Sequence, residues 1–123
     1  MIRTQGLTHI HLVVRDIERS LRFYQGVFGM EERFRDGTRL VFLNTPGSQD
    51  LIALNEDPAE AQLAGVNGGV LHFGFRLADS ADLDTAIAEV GAAGGKLIQR
   101  GEHAPGVPFA YVEDLDGFVI ELY

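Results

Sequence analysis

The chain has 123 residues, 46% hydrophobic and 23% charged, the composition of an ordinary globular domain with one buried core. A net charge of −8 without any Lys/Arg cluster argues against a nucleic-acid partner, and the lack of cysteine excludes disulfides, thiolate ligands and thiol nucleophiles together. No apolar run suits a bilayer and no cleavable leader is evident, so a cytoplasmic protein without a membrane partner is expected.

Leu7 to Arg15 alternates as a strand, with Ile10, Leu12 and Val14 on one face and His9, His11 and Val13 on the other. Asp16 is placed to cap a helix bearing Ile17, Leu21, Tyr24 and Phe28, which Gly29 ends. Strands over Glu31–Arg35 and Thr38–Asn44 flank the turn signal Asp36-Gly37. Leu51–Asn55 closes a first βαβββ module. Asp57-Pro58 and Asn67-Gly68-Gly69 mark a connection with room for one helical turn, Ala59–Leu63. A strand over Val70–Leu77 follows, then a helix capped by Asp79 and carrying Leu83, Ala86, Ile87 and Val90. Strands over Lys96–Arg100, Phe109–Glu113 and Phe118–Tyr123, the last two joined through Asp116-Gly117, complete a second copy. His103 is expected in a loop with Pro105, Gly106 and Pro108.

The two halves therefore read as repeats. His9 and His72 each stand seven residues before an aspartate, Asp16 or Asp79, that opens a helix. Each half ends in an apolar strand, Leu51-Ile-Ala53-Leu54 or Val119-Ile-Glu121-Leu122, and only the second carries a carboxylate. Helices on one side leave the other sheet face to be covered or to form a cleft. In all three strands the polar residue is opposite the most apolar set. A single strand histidine is most often a surface or structural residue. Here two occupy equivalent repeat positions in matched phase with Glu121, so His9, His72 and Glu121 form a candidate metal site. Two imidazoles and a carboxylate suit Fe(II) or Mn(II) first, with Zn, Ni or Co also compatible. His11, on His9's face about 7 Å along the strand, and Tyr111, ten residues before Glu121, are candidate polar or acid–base groups beside it, with His103 a third. Arg15, Arg39 and Arg76 are surface cations by default.

The stretch His9-Ile-His-Leu-Val-Val-Arg-Asp-Ile-Glu-Arg-Ser-Leu-Arg-Phe-Tyr24 and the ending Tyr111-Val-Glu-Asp114-Leu-Asp116-Gly117-Phe-Val-Ile-Glu121-Leu resemble the vicinal oxygen chelate superfamily. This is the superfamily of glyoxalase I, bleomycin-resistance proteins and type I extradiol dioxygenases. The resemblance implies an α+β fold of two tandem βαβββ modules, a cup-shaped mixed sheet with helices outside, and usually a homodimer. It implies a single domain over residues 1–123, with modules over about 5–55 and 69–123 and a linker over about 56–68. The family's metal positions fall on His9, His72 and Glu121.

The type I extradiol dioxygenases share that ligand set, and Gly101-Glu-His103 with Tyr111, Asp114, Gly117 and Glu121 resembles their C-terminal signature. Leu115 and Ala110 depart from it, no histidine lies between His11 and His72, and those enzymes usually carry a further pair of modules. Glyoxalase I has a fourth ligand at the Ala53 position, and the fosfomycin-type thiol transferases have threonine at the His11 position. The expectation is a metal-dependent enzyme acting on a small substrate with vicinal oxygens, extradiol cleavage first. A lyase, isomerase or thiol-transferase step and a non-catalytic drug-binding protein are the alternatives. A triad intact at all three positions speaks against the last.

Overall fold

A computed structural model describes residues 1–65 and 70–123. The expected Asn67-Gly68-Gly69 turn lies outside the described residues. The chain divides into two compact units, Met1–Ala61 and Gln62–Tyr123.

In the first unit β1 (His9–Val14) leads into α1 (Ile17–Phe28), then β2 (Glu31–Asp36), β3 (Leu40–Asn44) and β4 (Leu51–Glu56), in the sheet order β1-β4-β3-β2. β1 and β4 are parallel, and the other pairs are antiparallel. The second unit repeats this with β5 (Phe73–Phe75), α2 (Leu83–Ala92), β6 (Lys96–Ala104), β7 (Val107–Glu113) and β8 (Val119–Leu122), ordered β5-β8-β7-β6. Each unit is thus a βαβββ module of an α+β fold.

Strand parity sorts the side chains. Leu12, Leu54 and Val41 lie in register, as do Ile52 and Leu43, and all are buried. With Ile17, Leu21 and Tyr24 of α1 they make the first core. In the second unit Ile120 and Leu122 pair with Val112 and Ala110 and are joined in burial by Leu83 and Val90 of α2. The opposite rows are His11, Ala53, Phe42 and Phe34 in one sheet and Gly74, Glu121, Tyr111 and Gln99 in the other.

Local signals act as expected at α1. The Asp16 carboxylate accepts from Arg19 N–H, and Gly29 takes the left-handed conformation at φ 64°. Ile17 N–H also donates to Glu56 Oε2 at 3.0 Å, tying the helix start to β4. Arg35 of β2 binds Glu32 and Glu18 at 2.9 and 2.8 Å. That guanidinium lowers the carboxyl pKa of Glu32 below its ordinary value, and the two carboxylates raise that of Arg35. The charge contribution of Glu32 is therefore present at neutral pH and lost as acid protonates it, a small effect at so exposed a site.

Four elements differ from expectation. The strand expected over Val70–Leu77 is regular only over Phe73–Phe75, because its parallel partner β8 supplies only four residues. Val70 and Leu71 are exposed, and His72 immediately precedes the strand. Asp79 caps a 3-10 turn, Ser80–Asp82, from which α2 continues. The strand after the first hairpin starts at Leu40 rather than Thr38, since Gly37 at φ 61° opens a three-residue turn. His103 lies in β6, which runs to Ala104 because its ladder with β7 continues to Val107.

The turn into β8 hangs on one side chain. Asp114 is buried, and its Oδ1 accepts from the backbone N–H groups of Asp116, Gly117 and Phe118 at 2.9, 3.0 and 2.9 Å. Asp114→Ala strands those donors and should lower stability by about 2–4 kcal/mol. Asp114→Asn, which keeps one acceptor, should lose less. Urea unfolding reads the difference as a fall in midpoint at constant slope.

Candidate metal and acid–base site

β8 brings Glu121 to the open face of the second sheet beside Tyr111 of β7, its antiparallel partner. The glutamate side chain is only 13% exposed. A carboxylate so placed is costly unless paired, and two imidazoles pair with it. His103 Nε2–H donates to Glu121 Oε1 at 2.6 Å, while His72 Nε2 stands 3.4 Å from Oε2. A carboxylate oxygen only accepts, so the first contact assigns the proton to His103 Nε2. The second is an ion-pair distance without a formed hydrogen bond.

Aromatic packing fixes the rings. Phe109 stacks on His103 at 4.3 Å and 19°, Tyr111 lies 4.9 Å from the His72 ring, and Phe109 and Tyr111 are 5.1 Å apart. Gln99 lies opposite Tyr111 and Gly101 opposite Phe109, and a bulge between Glu102 and Ala104 leaves His103 as the extra residue of β6 beside them. A Cβ added at Gly101 would stand 3.0 Å from the Phe109 ring, so any larger residue there would press on the ring that stacks on His103. Phe109 was not among the residues singled out from sequence. Its signal was the two-residue spacing to Tyr111 on one strand.

The first unit holds the other two candidates. His9 opens β1, is exposed, and has its Nδ1 2.8 Å from Thr8 Oγ1. When that hydroxyl accepts from Nδ1–H, the Nε2 lone pair is left free for a ligand role. His11 is exposed and in register with Ala53, as Gly74 is with Glu121. Ala53 is therefore the structural counterpart of Glu121.

The donors are nitrogen and oxygen only. His72 Nε2 and Glu121 Oε2, 3.4 Å apart, are near enough to be shared by one divalent ion. Among the described residues no group of three His, Asp or Glu side chains is gathered in ligating geometry.

Residues 6–122 match the Glyoxalase/Bleomycin resistance protein/Dioxygenase superfamily. The chain belongs to that superfamily. Catechol-2,3-dioxygenase of Bacillus subtilis (strain 168) is 34% identical over 120 residues, covering 94% of this chain and 41% of that protein. The chain thus spans about two fifths of that relative's length. A variant of the fosfomycin resistance protein FosX from Listeria monocytogenes, crystallised with Mn(II) and 1S,2S-dihydroxypropylphosphonic acid, superposes with a TM-score of 0.79. It is 23% identical, over 98% of this chain and 90% of that one. Lactoylglutathione lyase from Agrobacterium tumefaciens superposes with a TM-score of 0.72 at 23% identity, over 98% and 93% of the two chains. At these identities the structural likeness establishes the fold.

The unequal distances from the two imidazoles to Glu121 make a test. In metal-free protein, long-range ¹H–¹⁵N spectra should show His103 protonated at Nε2 with a strongly hydrogen-bonded proton. Glu121→Ala should abolish that signature and His72→Ala should leave it. Loss of the signal in His72→Ala alone would contradict the geometry.

Proposed function

We infer that this superfamily member is a divalent-metal-dependent enzyme acting on a small substrate with adjacent oxygens, and that its reaction is oxygen-dependent ring cleavage of a catechol. One observation carries the reading. Glu121, where the second repeat departs from Ala53 of the first, sits among two imidazoles and a phenol on one sheet face. The 34% identity with catechol-2,3-dioxygenase supports the choice of reaction.

His9, His72 and Glu121 are the proposed ligands, with Fe(II) or Mn(II) the favoured ion and Zn, Ni or Co compatible with the same donors. His9 enters as the repeat counterpart of His72. Bound there, the ion supplies Lewis acidity toward vicinal oxygens. The remaining duties belong to side chains. Tyr111 donates its O–H to a substrate oxygen. With Nε2–H given to Glu121, the His103 lone pair is on Nδ1, and that atom accepts a diol proton. The adjacent carboxylate stabilises the imidazolium that results. Phe109 holds the ring plane during the transfer. His11 supplies a second polar group from the open face of the first sheet. Homodimerisation belongs to the same reading, and the exposed Leu97, Ile98 and Val107 offer apolar surface for it.

Protein purified without a chelating tag should contain about one divalent ion per chain, lost in His72→Ala and Glu121→Gln. With Fe(II) and catechol it should consume O₂ aerobically, one molecule per ring opened, and leave the diol intact anaerobically. Tyr111→Phe should keep the metal and lower kcat by roughly a hundredfold. Metal uptake without oxygen consumption on any diol would transfer the reading to a lyase, isomerase or transferase step. Retention of an aromatic or cationic drug without metal uptake would make this a binding protein.

A further inference from the structure

The open face of the first sheet carries a cleft of about 440 Å³ lined by Thr8, Arg33, Phe34, Phe42, Gln49 and Leu51. That volume lies within the roughly 300–1,000 Å³ typical of small-molecule sites. Phe34 and Phe42 form its apolar wall, ring centroids 5.7 Å apart and tilted by 40°. Phe34 is 58% exposed and its outer face is uncovered.

Arg33 reaches this cleft through a backbone irregularity. Glu32 pairs with Leu43 and Phe34 with Phe42, leaving Arg33 as an extra residue between them. Glu32 lies opposite a core residue and Phe34 opposite a cleft residue, so the bulge absorbs the missing step and directs Arg33 to the side of Phe34. The second repeat carries the same bulge, since Leu97 pairs with Val112 and Gln99 with Tyr111, leaving Ile98 over. The device belongs to the fold, and only the first copy arms it with a cation. Arg35 two residues on is held by Glu18 and Glu32, whereas Arg33 has no ion pair or hydrogen bond among the described residues. An unpaired guanidinium beside two aromatic rings matches an anion borne on a flat apolar body.

The cleft also touches a proposed metal ligand. Thr8 lines it and is bonded to His9 Nδ1, and Leu51 lines it and is the register partner of His9. The far wall is braced: the Asp50 carboxylate accepts from Thr45 N–H and Oγ1–H at 2.8 Å each, and Asp50 N–H donates to Ser48 Oγ at 3.1 Å, which fixes the loop presenting Gln49.

We propose that this cleft selects an aromatic carboxylate, the ring lying against Phe34 and Phe42 and the carboxylate taken by Arg33. The assignment rests on the metalloenzyme reading only for what is then done to the ligand, so it is tested on metal-free protein. Chemical-shift titration with 3,4-dihydroxybenzoate should perturb Thr8, Arg33, Phe34 and Leu51 and give tighter binding than 4-methylcatechol. Arg33→Gln should weaken the carboxylate by about tenfold or more, the scale of a lost charge-assisted hydrogen bond. It should leave 4-methylcatechol unchanged. Arg33→Lys should fall between, and Arg22→Gln on α1 should match wild type. Equal affinity of wild type and Arg33→Gln for the carboxylate, or perturbations confined elsewhere, would overturn the proposal. Carboxylate binding at the cleft combined with no oxygen uptake on any diol would sustain the cleft and refute the ring-cleavage reading alone.

Discussion

The register between the parallel first and last strands of each repeat is the constraint on which the chemistry depends. Strand side chains alternate between faces, and a slip of one residue would send each to the other side. Pairing Gly74 with Glu121 and Glu121 with Tyr111 puts carboxylate and phenol on the open face while Ile120 and Leu122 enter the core. Pairing His11 with Ala53 does the same in the first repeat. The buried rows resist any such slip. Moving β8 by one residue would expose Ile120 and Leu122 and bury Glu121, at about 2 kcal/mol for each large apolar side chain before the carboxylate is counted. The hydrophobic core therefore enforces the position of the acid.

That dependence explains what could be read before any coordinates. Alternation in His9–Val14 and Val119–Leu122 assigns His9, His11 and Glu121 to faces directly, and the common register of the repeats makes His72 the counterpart of His9. Local punctuation worked wherever a single residue decides geometry, as with Asp16 and Gly29 around α1. It misled around His103. Pro105, Gly106 and Pro108 suggested a loop, but only Pro105 and Gly106 form the hairpin tip, and Pro108 lies in β7 opposite Glu102. The length of β6 is set by pairing with β7, a nonlocal contact that propensity does not encode. Arg33 was invisible for a related reason. Strict alternation sets Arg33 opposite to Phe34, and only a bulge, a relation between two strands, brings them to one side.

The repeats share a scaffold and have diverged on their open faces. Where the second has Gly74, Glu121, Tyr111 and Gln99, the first has His11, Ala53, Phe42 and Phe34. One row carries an acid and a phenol, and the other two phenylalanines and a single imidazole. The first suits proton and ligand exchange, the second the holding of an apolar body. A duplicated fold permits this because the residues that stabilise it lie on the helix side of each sheet, leaving the opposite rows to vary at little cost in packing.

Glu121 stands where these demands compete. At 13% exposure its carboxylate is poorly hydrated, and His103 supplies a 2.6 Å charge-assisted bond in compensation. In the proposed holoenzyme an ion between His72 and Glu121 would draw on the same carboxylate, leaving His103 with a weaker acceptor. With a weaker acceptor opposite Nε2–H the His103 imidazolium would be less stabilised, so metal loading and proton acceptance by His103 would be coupled through one side chain. The coupling follows from the two oxygens of a single carboxylate facing two different imidazoles. It has no analogue in the first repeat, where Ala53 offers neither oxygen.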